Sequence, residues 1–155
     1  MVDHTVKAFD SEIGQLRGLV AEMGGLAEVA IRDSITALVQ HDEVLARQVV
    51  AADARLDALE AEVDRLAVRT IALRAPMADD LRDVIAALKI SGVIERIGDY
   101  AKNIAKRATA LEGRHKIEPV TLVPAMAEIA ASMVRDVLNA YGSRDAVLAV
   151  EVIRR

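Results

Sequence analysis

The chain has 155 residues, which at about 150 per domain makes one compact unit or two small ones. Eight glycines and three prolines are too few to punctuate a sandwich or barrel, and one Phe, two Tyr and no Trp supply no platform for stacking bases. A net charge of −4 argues against a basic nucleic-acid or membrane-surface footprint, and zero cysteine excludes disulfides, thiolate nucleophiles and zinc-finger or iron–sulfur ligation. What remains is an all-α protein with a core of Leu, Ile, Val, Ala and Met. The N-terminus has no apolar segment of signal-peptide length, and no later apolar run of about 18 residues is free of charge, so a soluble, cytoplasmic protein is expected.

The first helical pattern runs from Asp3 to Val39, with Leu16, Leu19, Val20, Met23, Ala27, Ile31, Ile35 and Leu38 at three- and four-residue steps. Gly14, Gly18, Gly24 and Gly25 lie inside it and imply either close packing or a kink. His41-Asp42 is the expected turn, with Asp42 as N-cap of the next helix. That second helix has the most regular seam, Leu45, Val49, Ala52, Leu56, Leu59, Val63, Leu66, Thr70 and Leu73. It is expected to end at Ala75, because Pro76 disfavours a helical residue before it.

Pro76 is then expected in the first turn of a third helix, with Asp79 and Asp80 near its positive end. The third helix runs to about Ala110, with Leu81, Val84, Ile85, Leu88, Ile90, Ile94, Ile97, Ala101, Ile104 and Ala108 on its apolar side. Three long helices joined by short turns predict an antiparallel three-helix bundle over residues 1–111. Residues 112–120 have the composition of a linker.

Residues 121–155 repeat the beginning of the chain. A shift of 103 places Leu122-Val123 on Leu19-Val20, Met126 on Met23, Arg135-Asp136 on Arg32-Asp33, Asp145 on Asp42 and Val147-Leu148-Ala149 on Val44-Leu45-Ala46. Twelve of the 34 paired positions are identical without a gap. The pattern predicts a second repeat of the same bundle, represented here by its first helix and the start of its second. The complete protein is then expected to have roughly 210 to 220 residues. Leu122, Met126, Ile129, Met133, Leu138 and Val147 are expected to pack on the first bundle or on another copy, the latter giving a homodimer.

Acids are arranged unusually on the second and third helices. Asp53, Asp57, Glu60 and Asp64 step 4-3-4, each one residue after a seam position, so a carboxylate stripe runs along the shoulder of the seam. Glu95 and Asp99, four apart, flank Gly98 on the third helix. Like charges at this spacing repel, so a cation would relieve them. Two readings stand: solvated acids neutralised by Arg55, Arg65, Arg96, Lys102 and Lys106, or hard oxygen ligands converging on Mg²⁺, Mn²⁺ or Fe, with Gly98 leaving room for a partner helix or a metal cluster.

Catalytic constellations are missing. The one Glu-x-x-His is Glu112 and His115 in the linker, and His4, His41 and His115 fall at a terminus, a turn and a linker, where solvated histidine is expected. Neither a phosphate-cradling Gly-rich loop nor a GxSxG elbow occurs. No enzymatic activity is expected. The alternatives are a carboxylate-metal phosphohydrolase or metal-storage bundle, which would need a positioned nucleophilic water, and a metal-free helical scaffold.

The segment Leu73-Arg74-Ala75-Pro76-Met77-Ala78-Asp79-Asp80-Leu81-Arg82, followed by Ile94-Glu95-Arg96-Ile97-Gly98-Asp99-Tyr100-Ala101-Lys102-Asn103-Ile104-Ala105, resembles the PhoU family of phosphate-transport regulators. That resemblance implies two tandem three-helix repeats, each with an E(D)xxxD metal motif, here Glu95 and Asp99. It further implies that acids of the preceding helix, matched by Asp53, Asp57 or Glu60, complete a site for Mg, Mn, Fe or Zn ions. The implied role is an adaptor between a phosphate ABC transporter ATPase and a sensor histidine kinase, holding phosphate-starvation signalling and phosphate uptake down when phosphate is plentiful. Membrane association would come only through those partners. The chain departs from the family pattern in that its second repeat carries no ExxxD helix.

Overall fold

The computed structural model describes residues 2–110 and 122–155, with side chains described from residue 9 onward. The 112–120 linker and the side chains of His4 and His115 lie outside the described residues. Five helices follow in order: α1 (Val2–Gln40), α2 (Glu43–Arg74), α3 (Asp79–Ala110), α4 (Val123–Ser143) and α5 (Ala146–Ile153). Helices α1, α2 and α3 pack against one another as an antiparallel bundle, α4 lies on α1, and α5 folds back on α4. At 32 residues each, α2 and α3 are about 48 Å long.

The bundle core is Leu16, Val20, Met23, Leu59, Val63 and Val84 with small residues between them. Its phase differs from the sequence expectation. In α2 the buried positions are Ala46, Val49, Asp53, Leu56, Leu59, Val63, Ala67 and Thr70. Leu45 and Leu66 are half-buried, Ala52 is exposed and Leu73 is 64% exposed. A helix covered by two neighbours, α1 on one side and α3 on the other, buries an arc between two contact lines, whereas a strict 4-3 reading follows one line. In α3 the buried stripe is mostly small: Val84, Ala87, Ser91, Ile94, Gly98, Ala101, Ala105 and Ala108. Ile97 and Leu88 flank it half-buried, and Leu81 is exposed.

The connection between α2 and α3 also departs from expectation. Pro76 precedes α3 and does not enter its first turn, which begins at Asp79 and Asp80. The chain turns there through two left-handed residues, Ala75 (φ 48°) and Ala78 (φ 50°), and the Ala75 N–H donates to the Ile71 carbonyl to close α2.

The 103-residue period is visible in the backbone. His41 and Arg144 both stand at φ 56°, just beyond α1 and α4. The Asp42 N–H donates to the Ala37 carbonyl (3.0 Å) and the Asp145 N–H to the Ala140 carbonyl (2.8 Å), the same helix-ending bond 103 residues apart. Both aspartates then cap the next helix: Asp42 Oδ1 accepts from the Leu45 N–H at 2.9 Å, and Asp145 Oδ1 from the Val147 and Leu148 N–H groups.

Helices α1 and α4 are braced in the same duplicated manner. Arg32 of α1 donates to Glu128 of α4 (3.0 Å), and its counterpart Arg135 donates back to Glu28 of α1 (2.6 Å). About a turn beyond the Glu28–Arg135 brace, Leu138 lies over Gly24, where an added Cβ would come within 1.9 Å of its Cδ1. Close packing, not a kink, is therefore the role of Gly24 in the continuous helix α1; Gly14, Gly18 and Gly25 face open space.

The face of α4 in contact is Ala127, Ala131, Val134 and Ala140. Of the residues expected to pack, Leu138 joins the bundle core, but Leu122, Met126, Ile129 and Val147 are between 54% and 71% exposed. The sequence expectation for these four on the first bundle is thus corrected. Small residues allow α4 to approach α1 closely, and the larger ones are rotated outward.

Candidate metal centre

Asp53, Asp57 and Glu60 come from successive turns of α2, and Asp99 and Glu95 from successive turns of antiparallel α3 beside it. The helices meet at Gly98, where a Cβ would be 2.2 Å from Leu56 Cδ2 and 3.6 Å from Asp53 Oδ1. The room left by this glycine is therefore taken by the α2 side chain Leu56. That close approach also carries Asp53 inward: its side chain is 6% exposed, so it belongs to the interhelical seam and not to an open shoulder. Asp57 is exposed, while Glu60, Glu95 and Asp99 are partly covered.

One cation joins the two helices. The Lys102 ammonium donates to Asp53 Oδ2 and, at 2.8 Å, to Asp99 Oδ1. These bonds hold the Asp99 carboxyl below its ordinary value and raise Lys102 well above that of a free lysine. Two other cations expected to neutralise the stripe are engaged elsewhere: Arg55 pairs with Glu22 of α1 at 2.6 Å, and Arg96 donates to the Tyr100 hydroxyl at 3.4 Å.

Toward Glu95 the balance reverses. Burial first, then the negative charges of Asp99, Asp57 and Glu60, push the Glu95 carboxyl above the ordinary range. The seam is thus electrostatically asymmetric. Its Asp53–Asp99 end carries one ammonium against two carboxylates, and its Glu95 end has acids around it.

The donor set suits a hard cation, since carboxylate oxygens are what Mg²⁺ and Mn²⁺ take. One positive charge, the Lys102 ammonium, already bonds to carboxylates from both helices. In the present rotamers, among the described residues, no three His, Asp or Glu side chains are grouped to hold one ion. With Asp99 drawn to Lys102, side-chain movement must precede a shared ligand shell. His41 is exposed at its turn, away from these acids in sequence and element.

A second polar cluster had no sequence signal. Arg17 of α1 and Arg144 both bond to Asp83 of α3, Arg17 at 2.9 Å, and burial pushes the neighbouring Tyr141 hydroxyl upward. These residues are 61 and 66 positions apart, so no spacing links them. They rim an apolar groove of about 640 Å³ between α3 and α4, floored by Ile90, Val93 and Val137. A second apolar groove of about 610 Å³, with Tyr100, Ile104, Met126 and Met133, continues along the same helices. Among the described residues no helix is long and apolar enough to cross a membrane.

Long antiparallel helices with a carboxylate-lined seam and apolar outer grooves place the chain in the class of long helical-bundle domains. The chain belongs to the PhoU family: residues 20–108 match the PhoU domain. It is 54% identical over 151 residues to a phosphate-specific transport system accessory protein PhoU homolog of Zymomonas mobilis, an alignment covering 97% of this chain and 64% of that protein. A homolog of the same description from Caulobacter vibrioides is 45% identical, over 100% of this chain and 68% of its own length. The crystal structure of PhoU from Pseudomonas aeruginosa superposes with a TM-score of 0.90 at 35% identity, covering 94% of this chain and 70% of that one. The phosphate transport system regulatory protein PhoU from Streptococcus pneumoniae gives 0.86 at 25% identity. The chain thus spans about two thirds of the length of these relatives.

Proposed function

We propose that this chain is an accessory regulator of phosphate-specific transport, a non-enzymatic adaptor that represses phosphate-starvation signalling and phosphate uptake. The observation carrying this reading is the 54% identity to an accessory protein of that system along 97% of the chain. As an adaptor it engages a phosphate ABC transporter ATPase and a sensor histidine kinase, working in the cytoplasm as a homodimer and reaching the membrane only through those partners. The architecture supports such a role, because long helices present extended faces for partner helices. Two apolar grooves along α3 and α4 and the exposed Met126 and Ile129 offer such faces.

Metal binding is the second component. Glu95 and Asp99, with Asp57 and Glu60 and then Asp53 from α2, would hold a Mg, Mn, Fe or Zn ion, supplying the charge that this seam lacks at its Glu95 end. Bound there, the ion would fasten α2 to α3 and so fix the shape of the faces that partners meet. In this reading Glu95 and Asp99 are the principal ligands and no residue is assigned a catalytic role.

The test is capture of the transporter ATPase and of the histidine kinase by the full chain, with and without inorganic phosphate and Mn²⁺. Capture of either partner, dependent on phosphate or metal, is expected; capture of neither overturns the adaptor reading.

A further inference from the structure

Met126, Ala130, Met133 and Val137 step 4-3-4 along α4 and line the groove of about 610 Å³ whose other wall is Ile97, Tyr100 and Ile104 of α3. The 103-residue repeat gives this stripe its meaning. Met126 corresponds to Met23, Ala130 to Ala27 and Val137 to Ser34, and all three counterparts are 0% exposed. Met23 and Ala27 are covered because α2 and α3 close over them as the bundle core. On α4 the same positions are bare: Met126 is 65% exposed, Val137 is 42% exposed and Ala130 is exposed as well. Among the described residues, seven of the fifteen exposed large apolar side chains fall within residues 122–155. Apolar side chains concentrated in this way form an interaction surface, unlike the single ones scattered over any protein.

Charge and size favour a second copy of the same face. Residues 122–155 carry four acids and four arginines, so two such faces meet without net repulsion although the whole chain stands at −4. Helix α4, with 21 residues, is about 32 Å long, and with the α3 wall beside it the face is about 20 Å wide. Two copies together would cover roughly 1,200 Å², the size at which specific interfaces begin.

We propose that this face is covered by a second copy of the chain: α4 of one copy lies antiparallel along the α3–α4 groove of the other, in a two-fold dimer. The inference rests on the homodimer of the proposed function and assigns it a surface. A two-fold contact is self-complementary, so each apolar stripe serves as both ridge and groove. It gives α4 from outside the covering that α1 receives from α2 and α3 within one copy.

Sedimentation equilibrium of the full chain between about 1 and 100 µM tests this on wild type, Met126→Glu, Ala130→Glu and Val68→Glu. Val68, on α2, is 56% exposed and lines neither groove. Since all three sites are exposed, far-UV circular dichroism should show unchanged helix content in every variant. Wild type and Val68→Glu are expected at twice the chain mass of 16.7 kDa. Met126→Glu and Ala130→Glu bring an unpaired charge from each copy into an apolar contact and should weaken the dimer at least about tenfold. Dimers that survive both groove substitutions, or that Val68→Glu weakens equally, overturn this face and leave the homodimer standing. A wild-type monomer throughout that range overturns the face and the homodimer together, while partner capture still decides the adaptor role.

Discussion

The seam depends on a close approach of α2 and α3, and Gly98→Ala perturbs that approach with one methyl group. The new carbon would lie 2.2 Å from Leu56 Cδ2. Leu56 is 2% exposed within the bundle core, so it can rotate only by moving other packed side chains. Overpacking of this kind costs about 1–3 kcal/mol. Against it stands the helix propensity of Ala over Gly, worth about 1 kcal/mol in a helix interior. The net expectation is a destabilisation of about 0–2 kcal/mol. Gly18→Ala isolates the propensity term, because nothing lies within 4 Å of a Cβ at that exposed position. Gly18→Ala should therefore stabilise by about 1 kcal/mol, and urea unfolding with an unchanged slope should separate the two variants by about 1–3 kcal/mol. A Gly98→Ala protein as stable as Gly18→Ala would refute the close packing and, with it, the explanation for the burial of Asp53.

Two further outcomes follow from named groups. Asp42→Ala removes the acceptor for the Leu45 N–H and should lower stability by about 1 kcal/mol in urea unfolding; an unchanged midpoint would mean that the duplicated turn does not depend on its cap. Glu95→Gln should stabilise the metal-free protein at pH 7. The folded Glu95 carboxyl is raised above its ordinary value, so the folded state binds more protons than the unfolded one between those two values and loses stability as pH rises through that window. The advantage of Glu95→Gln should shrink as pH falls below the raised value, which paired thermal melts across the acid range would show. An advantage constant with pH would contradict the charge-repulsion account.

The helices and the turn capped by Asp42 were legible from a hydrophobic period and from His41-Asp42 read as turn and N-cap, and the 103-residue echo set Asp145 on Asp42. Which arc of α2 is buried was not, since Leu45 and Ala52 lose their expected places to Ala46 and Asp53 only when α1 and α3 both press on the helix. Pro76 was expected one turn too far along, because two left-handed alanines make the connection and no propensity rule anticipates them. At the seam the acids were recognisable by spacing, and the family resemblance singled out Glu95 and Asp99. The bridging position of Lys102 was not legible: it depends on Gly98 bringing α2 against α3, which sets Asp53 beside a lysine 49 positions later. Arg17, Asp83 and Arg144 were likewise joined only by the packing of α1, α3 and α4.

The claim at the centre of this account is that the carboxylates between α2 and α3 hold a divalent cation. Anomalous diffraction from crystals of the full chain grown with Mn²⁺ tests it most directly. The account predicts an anomalous peak at carboxylate coordination distance, about 2.0–2.6 Å for hard oxygen-bound cations, from Glu95 and Asp99. Crystals containing millimolar Mn²⁺ with no peak at Glu95 and Asp99 would contradict it.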